Sequence, residues 1–434
     1  MRHGEPSRAP SSASPGAFVW RDRDFRRLWA GQTASQLGEQ SGQVILPLIA
    51  VLALDAGPGQ LGVLRAVEQA PILLLSLFAG AWVDRRRART VMVSADLARA
   101  VALAALPAAY LLGVLGVPAL LVVAFAVGAL SVFFDVAYQA SLVRLVRRDQ
   151  LVAGNSALEG SRSAARIGGP ALGGALVTLL SAPAAAVAGA LFFLLSFCSI
   201  RRIRRDESMP DRSGLRPPPV RRQIREGLQL VIGDGSLRAV GIASALFQFS
   251  FAAVMTVYLL FLPRGLHLSG AEVGLALAAT GPGAVAGSLL AARLPGRFGH
   301  GVVLVSSAVA ADGVLLCVPA LHGSGSGTLV ALMAVNFVFG TFSQLVNVTV
   351  MAVRQAVTPV RMQGRVVATI NFVGMGLTPL GSLLGGLLAA QWGLRTGLLV
   401  TAFGLALSPL YMALSPLARL GKELPVAATP LPPP

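Results

Sequence analysis

Between its polar ends the chain alternates long apolar runs with short charged connections, and the arginines crowd into every second connection. Bilayer hydrocarbon is roughly 30 Å thick, so a crossing helix needs about 20 mostly apolar residues. About twelve such segments can be marked, at 27–54, 59–83, 91–112, 118–142, 153–181, 183–200, 236–262, 270–292, 301–320, 328–352, 365–391 and 394–416. The connections at 84–90 (DRRRART), 144–150 (RLVRRDQ), 201–238, 293–300 (RLPGRFGH) and 354–365 (RQAVTPVRMQGR) are basic, whereas the intervening ones carry only Arg264 and Arg395. Basic loops stay cytoplasmic. The pattern therefore predicts an all-α membrane protein with both termini and the long middle connection in the cytoplasm.

The apolar pattern also sets the domains. The stretch from Arg201 divides two sets of six segments, giving a tail at 1–24, a bundle at 25–200, a basic linker at 201–235, a second bundle at 236–416 and a Pro-rich tail at 417–434. The linker opens RRIRRDESMPDRSGLRPPPVRRQ and reads as exposed, with a short amphipathic helix in IREGLQLVIG lying against the membrane face. The final VAATPLPPP is too proline-rich for a helix. A weak repeat relates the halves: RLVRRDQLVAGNSALEGSRSAARIGGPALGGAL from Arg144 resembles RQAVTPVRMQGRVVATINFVGMGLTPLGSLLGGLL from Arg354, each placing a proline, Pro170 or Pro379, beside paired glycines. Similar halves around a central site are a recurring transporter plan.

Polar residues inside the segments fall on stripes. Gln32, Gln36, Glu39, Gln40 and Gln43 share one face of the first helix. Asn336, Gly340, Ser343, Gln344 and Asn347 do so in the tenth, and Ser131, Asp135, Tyr138 and Gln139 in the fourth. Amides facing lipid would be left unsatisfied, so the stripes face a cavity or bond across helices. Phe247, Phe251, Met255 and Tyr258 share a side of the seventh, as packing or as a wall for an aromatic substrate.

A charge near the bilayer centre costs about 2.5 to 3.5 kcal/mol on insertion scales, so each needs a partner or a wet surface. Arg65 with Glu68, Asp96 with Arg99 and Glu159 with Arg162 are spaced as i,i+3 pairs. Glu39 and Asp135 have no such partner and lie on polar stripes, which makes them the proton-carrier candidates; substrate contact or a cross-helix pair are the other readings. Arg166 and Asp312 are further intramembrane charges.

Composition changes the picture only by exclusion. Hydrophobic residues make up 54% of the chain and mean hydropathy is +0.70. The formal charge of +17 is spread over alternate loops rather than gathered in one patch, so nucleic acid is not an expected partner. Membrane lipid is, since basic loops attract anionic headgroups at roughly 1 kcal/mol per residue near the surface. Cys198 and Cys317 lie within segments, and His3, His267, His300 and His322 are scattered, so neither a disulfide framework nor a metal site nor a cofactor is indicated. No GxxxxGK[ST] loop is present to hold a nucleotide, and no segment contains a histidine to serve a hydrolase.

Two motifs remain. GAWVDRRRAR, Gly80 to Arg89, closes the second segment, either as a charge knot that locks one conformation or as a basic loop that only sets topology. IGGPALGG, Ile167 to Gly174, predicts a fifth helix that bends and packs closely against neighbours. The first resembles the major facilitator superfamily, with Gly80, Asp84, Arg85 and Arg89 at matching positions and with Arg87 and Ala88 departing from the pattern. FRRLWAGQTASQLGEQ, FFDVAYQASLVRLV and TPVRMQGR look like the branch of enterobactin-type siderophore exporters and macrolide efflux proteins. The resemblance covers nearly the whole chain. It implies two pseudo-symmetric six-helix bundles in a bacterial cytoplasmic membrane, not an enzyme, working by alternating access without a second copy.

The same resemblance implies a cavity lined by helices 1, 4, 7 and 10, with Gln36, Gln40, Gln43, Tyr138, Phe247, Phe251, Asn336, Gln344 and Asn347 as its candidate lining. It also likens Gly169, Pro170, Gly173 and Gly174 to the antiporter motif of exporters. The expected function is proton-coupled efflux of a small amphipathic molecule such as a drug, antibiotic or siderophore-like metabolite. A proton-coupled nutrient importer and a transport-inactive sensor stay open.

Overall fold

A computed structural model of the chain describes residues 20–83, 86–145, 151–204, 220–359 and 362–423. Asp84 and Arg85 of the second-helix motif, the proline triplet of the linker and the final VAATPLPPP lie outside the described residues. The described residues contain helices and no strand.

The first bundle comprises α1 (Arg23–Leu48), α2 (Pro58–Val83), α3 (Ala88–Leu111), α4 (Val117–Leu145), α5 (Leu151–Leu180) and α6 (Ala182–Arg201). Asp22 starts α1 by accepting from the backbone N–H of Asp24 at 2.8 Å and of Phe25 at 3.4 Å. Near its other end Pro47 is followed by a π-helical turn over Ile49–Ala53. A single residue, Ser181 at φ 84°, joins α5 to α6.

The second bundle begins after α7 (Val220–Gly233) with α8 (Gly235–Gly265). Helices α9 (Gly270–Ala278) and α10 (Thr280–Ala291) make one crossing. After the short α11 (Leu294–Phe298) come α12 (His300–Val314), prolonged by a 3-10 turn, and α13 (Ser326–Val357). Then follow α14 (Gln363–Gly376), α15 (Thr378–Leu405) and α16 (Leu407–Leu414).

Nine described helical segments are long and apolar enough to cross a membrane. The last of them, Arg365–Leu414, has 50 residues and reverses at Gly393, whose φ of 81° and ψ of 166° suit a residue without a Cβ. It therefore supplies two crossings. Helices α1 and α2, 26 residues each, complete twelve.

Within the first bundle α1 packs on α5 and α6, α2 on α4, and α3 on α4 and α6; within the second, α8 packs on α15 and α13 on α10 and α12. The bundles meet where α5 packs on α9 and α2 on α15. These are corresponding pairs, the fifth crossing on the eighth and the eleventh on the second, as the repeat implies. Both are glycine contacts. A Cβ at Gly174 would lie 2.1 Å from the Gly270 carbonyl oxygen, and one at Gly386 would lie 2.8 Å from the Gly62 Cα. Such approach of two backbones lets helices without a hydrophobic driving force gain dispersion contact.

A buried ion pair ties the first bundle together. Arg99 and Asp96 are fully buried and 2.5 Å apart. Ser35 of α1, Ser131 of α4 and Ser196 of α6 hydrogen-bond to the pair, and the Phe134 and Phe193 rings lie 4.4 and 4.3 Å from the guanidinium carbon.

Two expectations need correction. The helix expected in IREGLQLVIG forms, over residues 220–233, but it docks on α14 and α8, burying Val231 and pairing Glu226 with Arg365, so the linker is not exposed throughout. The tail assigned from residue 417 also starts docked. Leu417 is buried, and the Leu420 and Gly421 carbonyls each accept at 2.9 Å from the N–H groups of Gly301 and His300.

Candidate functional site: two adjoining cavities between the bundles

The first cavity, about 280 Å³, lies mainly in the first bundle. Glu39 and Gln43 of α1, Arg65 and Glu68 of α2, and Ser131 and Asp135 of α4 line it. Three charges are accounted for: Arg65 and Glu68 pair at 3.0 Å, and Asp135 lies 3.5 Å from Arg162 of α5. The second contact is the cross-helix pair that the sequence left open for Asp135. Arg162 also lies 4.0 Å from Glu159. Glu39 Oε2 and Asp135 Oδ1 are nevertheless buried without a hydrogen bond among the described residues.

The second cavity, about 480 Å³, lies mostly in the second bundle. Phe247 and Gln248 come from α8, Asp312 from α12, Gln344, Asn347 and Arg354 from α13, and Asn371 from α14. Arg166 of α5 reaches it from the first bundle, and Met375 lines both cavities. Phe251 stacks between Phe247 and Phe339, with ring centroids 5.3 and 5.4 Å apart, so it backs the wall from behind. Gln344 donates to Ser288 at 3.2 Å.

Other candidates stand elsewhere. Gln36 and Tyr138 are buried, Tyr138 against Phe25 and Phe134. Gln40 sits at the crossing of α1 with α5, where a Cβ on Gly169 would come within 2.4 Å of it. Asn336 donates to the Tyr258 hydroxyl at 2.7 Å and to the Leu332 carbonyl at 2.9 Å, holding α13 to α8. Part of each stripe thus faces a cavity; of the rest, Asn336 bonds across helices, whereas the Gln32 amide is buried with no hydrogen bond among the described residues. Sequence reasoning missed Gln248 and Asn371, isolated polar residues on no stripe, and placed Arg354 in a loop although α13 runs past it.

The fifth-helix motif is a three-helix junction. Gly169 and Gly173 admit the α1 backbone at Gln40 and Ser41, whereas Gly174 and the Pro170 carbonyl meet α9. Helix α5 runs unbroken through Pro170. In the second-helix motif Arg89 donates to the Arg201 carbonyl at 2.5 Å, joining α3 to α6; a Cβ at Gly80 would meet nothing within 4 Å.

The described contacts between bundles gather away from the arginine-rich connections. Arg264 pairs with Asp55, Thr178 accepts from the Ala271 N–H at 2.6 Å, and Gln69 reaches Ser382 at 3.4 Å nearer the middle. The larger cavity runs instead toward the basic end, along Val350, Arg354 and Met412.

Two six-helix bundles joined by corresponding glycine contacts around central polar cavities define a membrane transporter of the major facilitator type. The chain belongs to the transmembrane secretion effector family of that superfamily, which it matches over residues 14–434. It is similar to multidrug efflux pump Tap of Mycolicibacterium fortuitum, 30% identical over 372 residues that cover 83% of this chain and 87% of that protein. Tap of Mycobacterium tuberculosis (strain ATCC 25618 / H37Rv) is 27% identical over 373 residues, 81% of this chain and 84% of that one. Among solved structures the fold is shared with nucleoside transporter NupG, at a TM-score of 0.72 and 12% identity over 90% of this chain and 99% of that one. It is also shared with an inward-facing, unoccupied bacterial homologue of the human lysosomal transporter Spinster, at 0.70 and 12% over 94% and 98%.

Proposed function

We propose that the protein exports a small amphipathic molecule from the bacterial cytoplasm by alternating access, driven by inward proton movement through Glu39 and Asp135. The observation that carries this reading is the pair of carboxylates lining one cavity, Glu39 with a buried oxygen that takes no hydrogen bond and Asp135 with only a 3.5 Å approach to Arg162 at its buried oxygen, beside a larger cavity suited to a substrate. An oxygen that takes no hydrogen bond from the protein can gain and lose a proton without dismantling the helices around it. The efflux role of the Tap relatives supports the direction of transport. The arginine-rich connections support placing both termini in the cytoplasm, which makes the described state one whose larger cavity faces inward.

Moving one charge across 100 mV yields about 2.3 kcal/mol. With about 1.4 kcal/mol per factor of ten, one net charge per substrate supports roughly a fifty-fold gradient.

The test reconstitutes Glu39→Gln and Asp135→Asn separately and follows substrate-induced proton movement beside substrate exchange. Loss of proton-driven accumulation with retained exchange is expected from at least one variant. Wild-type proton movement in both removes these residues as carriers and turns attention to Glu68 and Asp312. Orientation is checked independently: an impermeant thiol reagent should label Ser324→Cys from outside the cell.

A further inference from the structure

Three ionisable side chains line the larger cavity, and none has a hydrogen bond or ion pair with another described residue: Arg166, Asp312 and Arg354. This sets them apart from Arg65, Arg99 and Arg162, each of which is ion-paired with a carboxylate, while Arg166 reaches Glu39 and Asp135 only through longer-range attraction. Arg354 also carries a buried Nε without a partner. Around this cavity two guanidiniums therefore stand against one carboxylate, with neutral amides (Gln248, Gln344, Asn347, Asn371) and an apolar wall at Phe247 completing the lining.

We propose that this cavity receives the anionic group of an acidic or zwitterionic amphipathic substrate, held by Arg166 from one bundle and Arg354 from the other. The proposal rests on the transport reading above and deepens it by naming a substrate class. A guanidinium offers a planar fork of donors that matches a carboxylate, sulfonate or phosphate. Because the forks belong to different bundles, the empty cavity sets like charges against each other when the basic end closes. An anion between them reverses that interaction. The substrate then binds the closed arrangement better than the open one, which is the differential affinity a conformational cycle needs. Asp312 is placed to take the amine of a zwitterion, and the aromatic wall to take the apolar body.

The test reads the charge of the cavity and then its occupant, in purified full-length protein without a proton gradient, so it stands apart from the question of coupling. In a Cys198→Ser, Cys317→Ser background, Asn347→Cys is treated with the anionic 2-sulfonatoethyl and the cationic 2-(trimethylammonium)ethyl methanethiosulfonates. Their rates are normalised to a free thiol. The anionic reagent should be favoured by roughly tenfold or more, as a cleft of one sign focuses its counter-ion. Arg166→Gln and Arg354→Gln should each reduce that preference, and Asp312→Asn should increase it. Naphthalene-2-sulfonate should protect the thiol at lower concentration than 2-naphthyltrimethylammonium. A cationic preference, a preference indifferent to both arginines, or protection by the sulfonate no better than by the ammonium overturns the proposal. Retained binding and elution profile of each variant on size exclusion separates loss of charge from loss of fold. A protein that passes this test yet moves no protons with substrate would sink the coupling reading alone.

Discussion

The two bundles repeat one topology and spend their charges differently. In the first, Asp96 and Arg99 hold four helices through three serines and two aromatic rings, Arg65 meets Glu68, and Arg162 stands between Asp135 and Glu159. In the second, Asp312 and Arg354 face a cavity with no described partner, and most of its other polar lining is amide. A duplicated scaffold constrains helix packing, since both glycine junctions must survive, but leaves free which side chains turn inward. The first bundle has the makings of a braced lever with titratable groups, and the second those of a reception chamber.

The largest expected effect breaks the brace. Asp96→Asn leaves the Arg99 guanidinium fully buried beside a neutral amide, and removing one member of a buried pair costs about 3 to 5 kcal/mol. The thermal unfolding midpoint in detergent should drop sharply, and adding Arg99→Met should restore part of it. Asp312→Asn, the same chemical change in the second bundle, should leave the midpoint level or raise it, because no described ion pair is lost. An equal drop in both proteins would erase the distinction between bracing and receiving charges.

Next in size is the closure that the bundles share. Gly174→Val and Gly386→Val insert side chains where a Cβ alone would come within 2.1 Å and 2.7 Å of backbone oxygens. Overpacking of this kind costs about 1 to 3 kcal/mol, enough to lower occupancy of the closed contact roughly tenfold at about 1.4 kcal/mol per decade. Transport should fall in both variants, and a thiol at Gln43→Cys should become reachable from the far side. Gly168→Val, with nothing within 4 Å of its Cβ position, is the control and should transport normally. If only one junction matters, the halves are less equivalent in motion than in packing.

Most of the fold could be read from the alternation of apolar runs and arginines, because a bilayer demands a fixed length of apolar helix whatever the tertiary contacts. The i,i+3 pairs were legible for a similar reason, as they lie on one helix. What escaped depends on how helices rotate against each other. The polar stripes at Gln36 to Gln43 and Asn336 to Asn347 have the same periodicity, yet Asn336 bonds to Tyr258 while Asn347 opens to the cavity, and no spacing distinguishes the two. The Asp135 to Arg162 contact joins α4 to α5 and was invisible for that reason. Helix α7 was legible as an amphipathic helix but not in its docking place, because an apolar face such as that of Leu230 and Val231 suits a membrane surface as well as a neighbouring helix.

The smallest expected effect concerns the arginines at the end away from the basic loops. Arg264 and Arg395 break the charge rule there, and each is engaged: Arg264 reaches from the second bundle to Asp55 of the first, whereas Arg395 binds the carbonyls of Pro319 and Leu321 within the second. Only Arg264 can influence closure. Its partner is 97% exposed, so solvent and salt screen the attraction and exposed pairs of this kind add little. Arg264→Ala should therefore shift the inter-bundle distance distribution, followed by paired spin labels, by a few-fold at most, and raising the salt should shrink even that. Arg395→Ala should not move the distribution at all. An Arg264→Ala shift as large as that of Gly174→Val would mean that charge, rather than the backbone contact of glycines, holds this end shut.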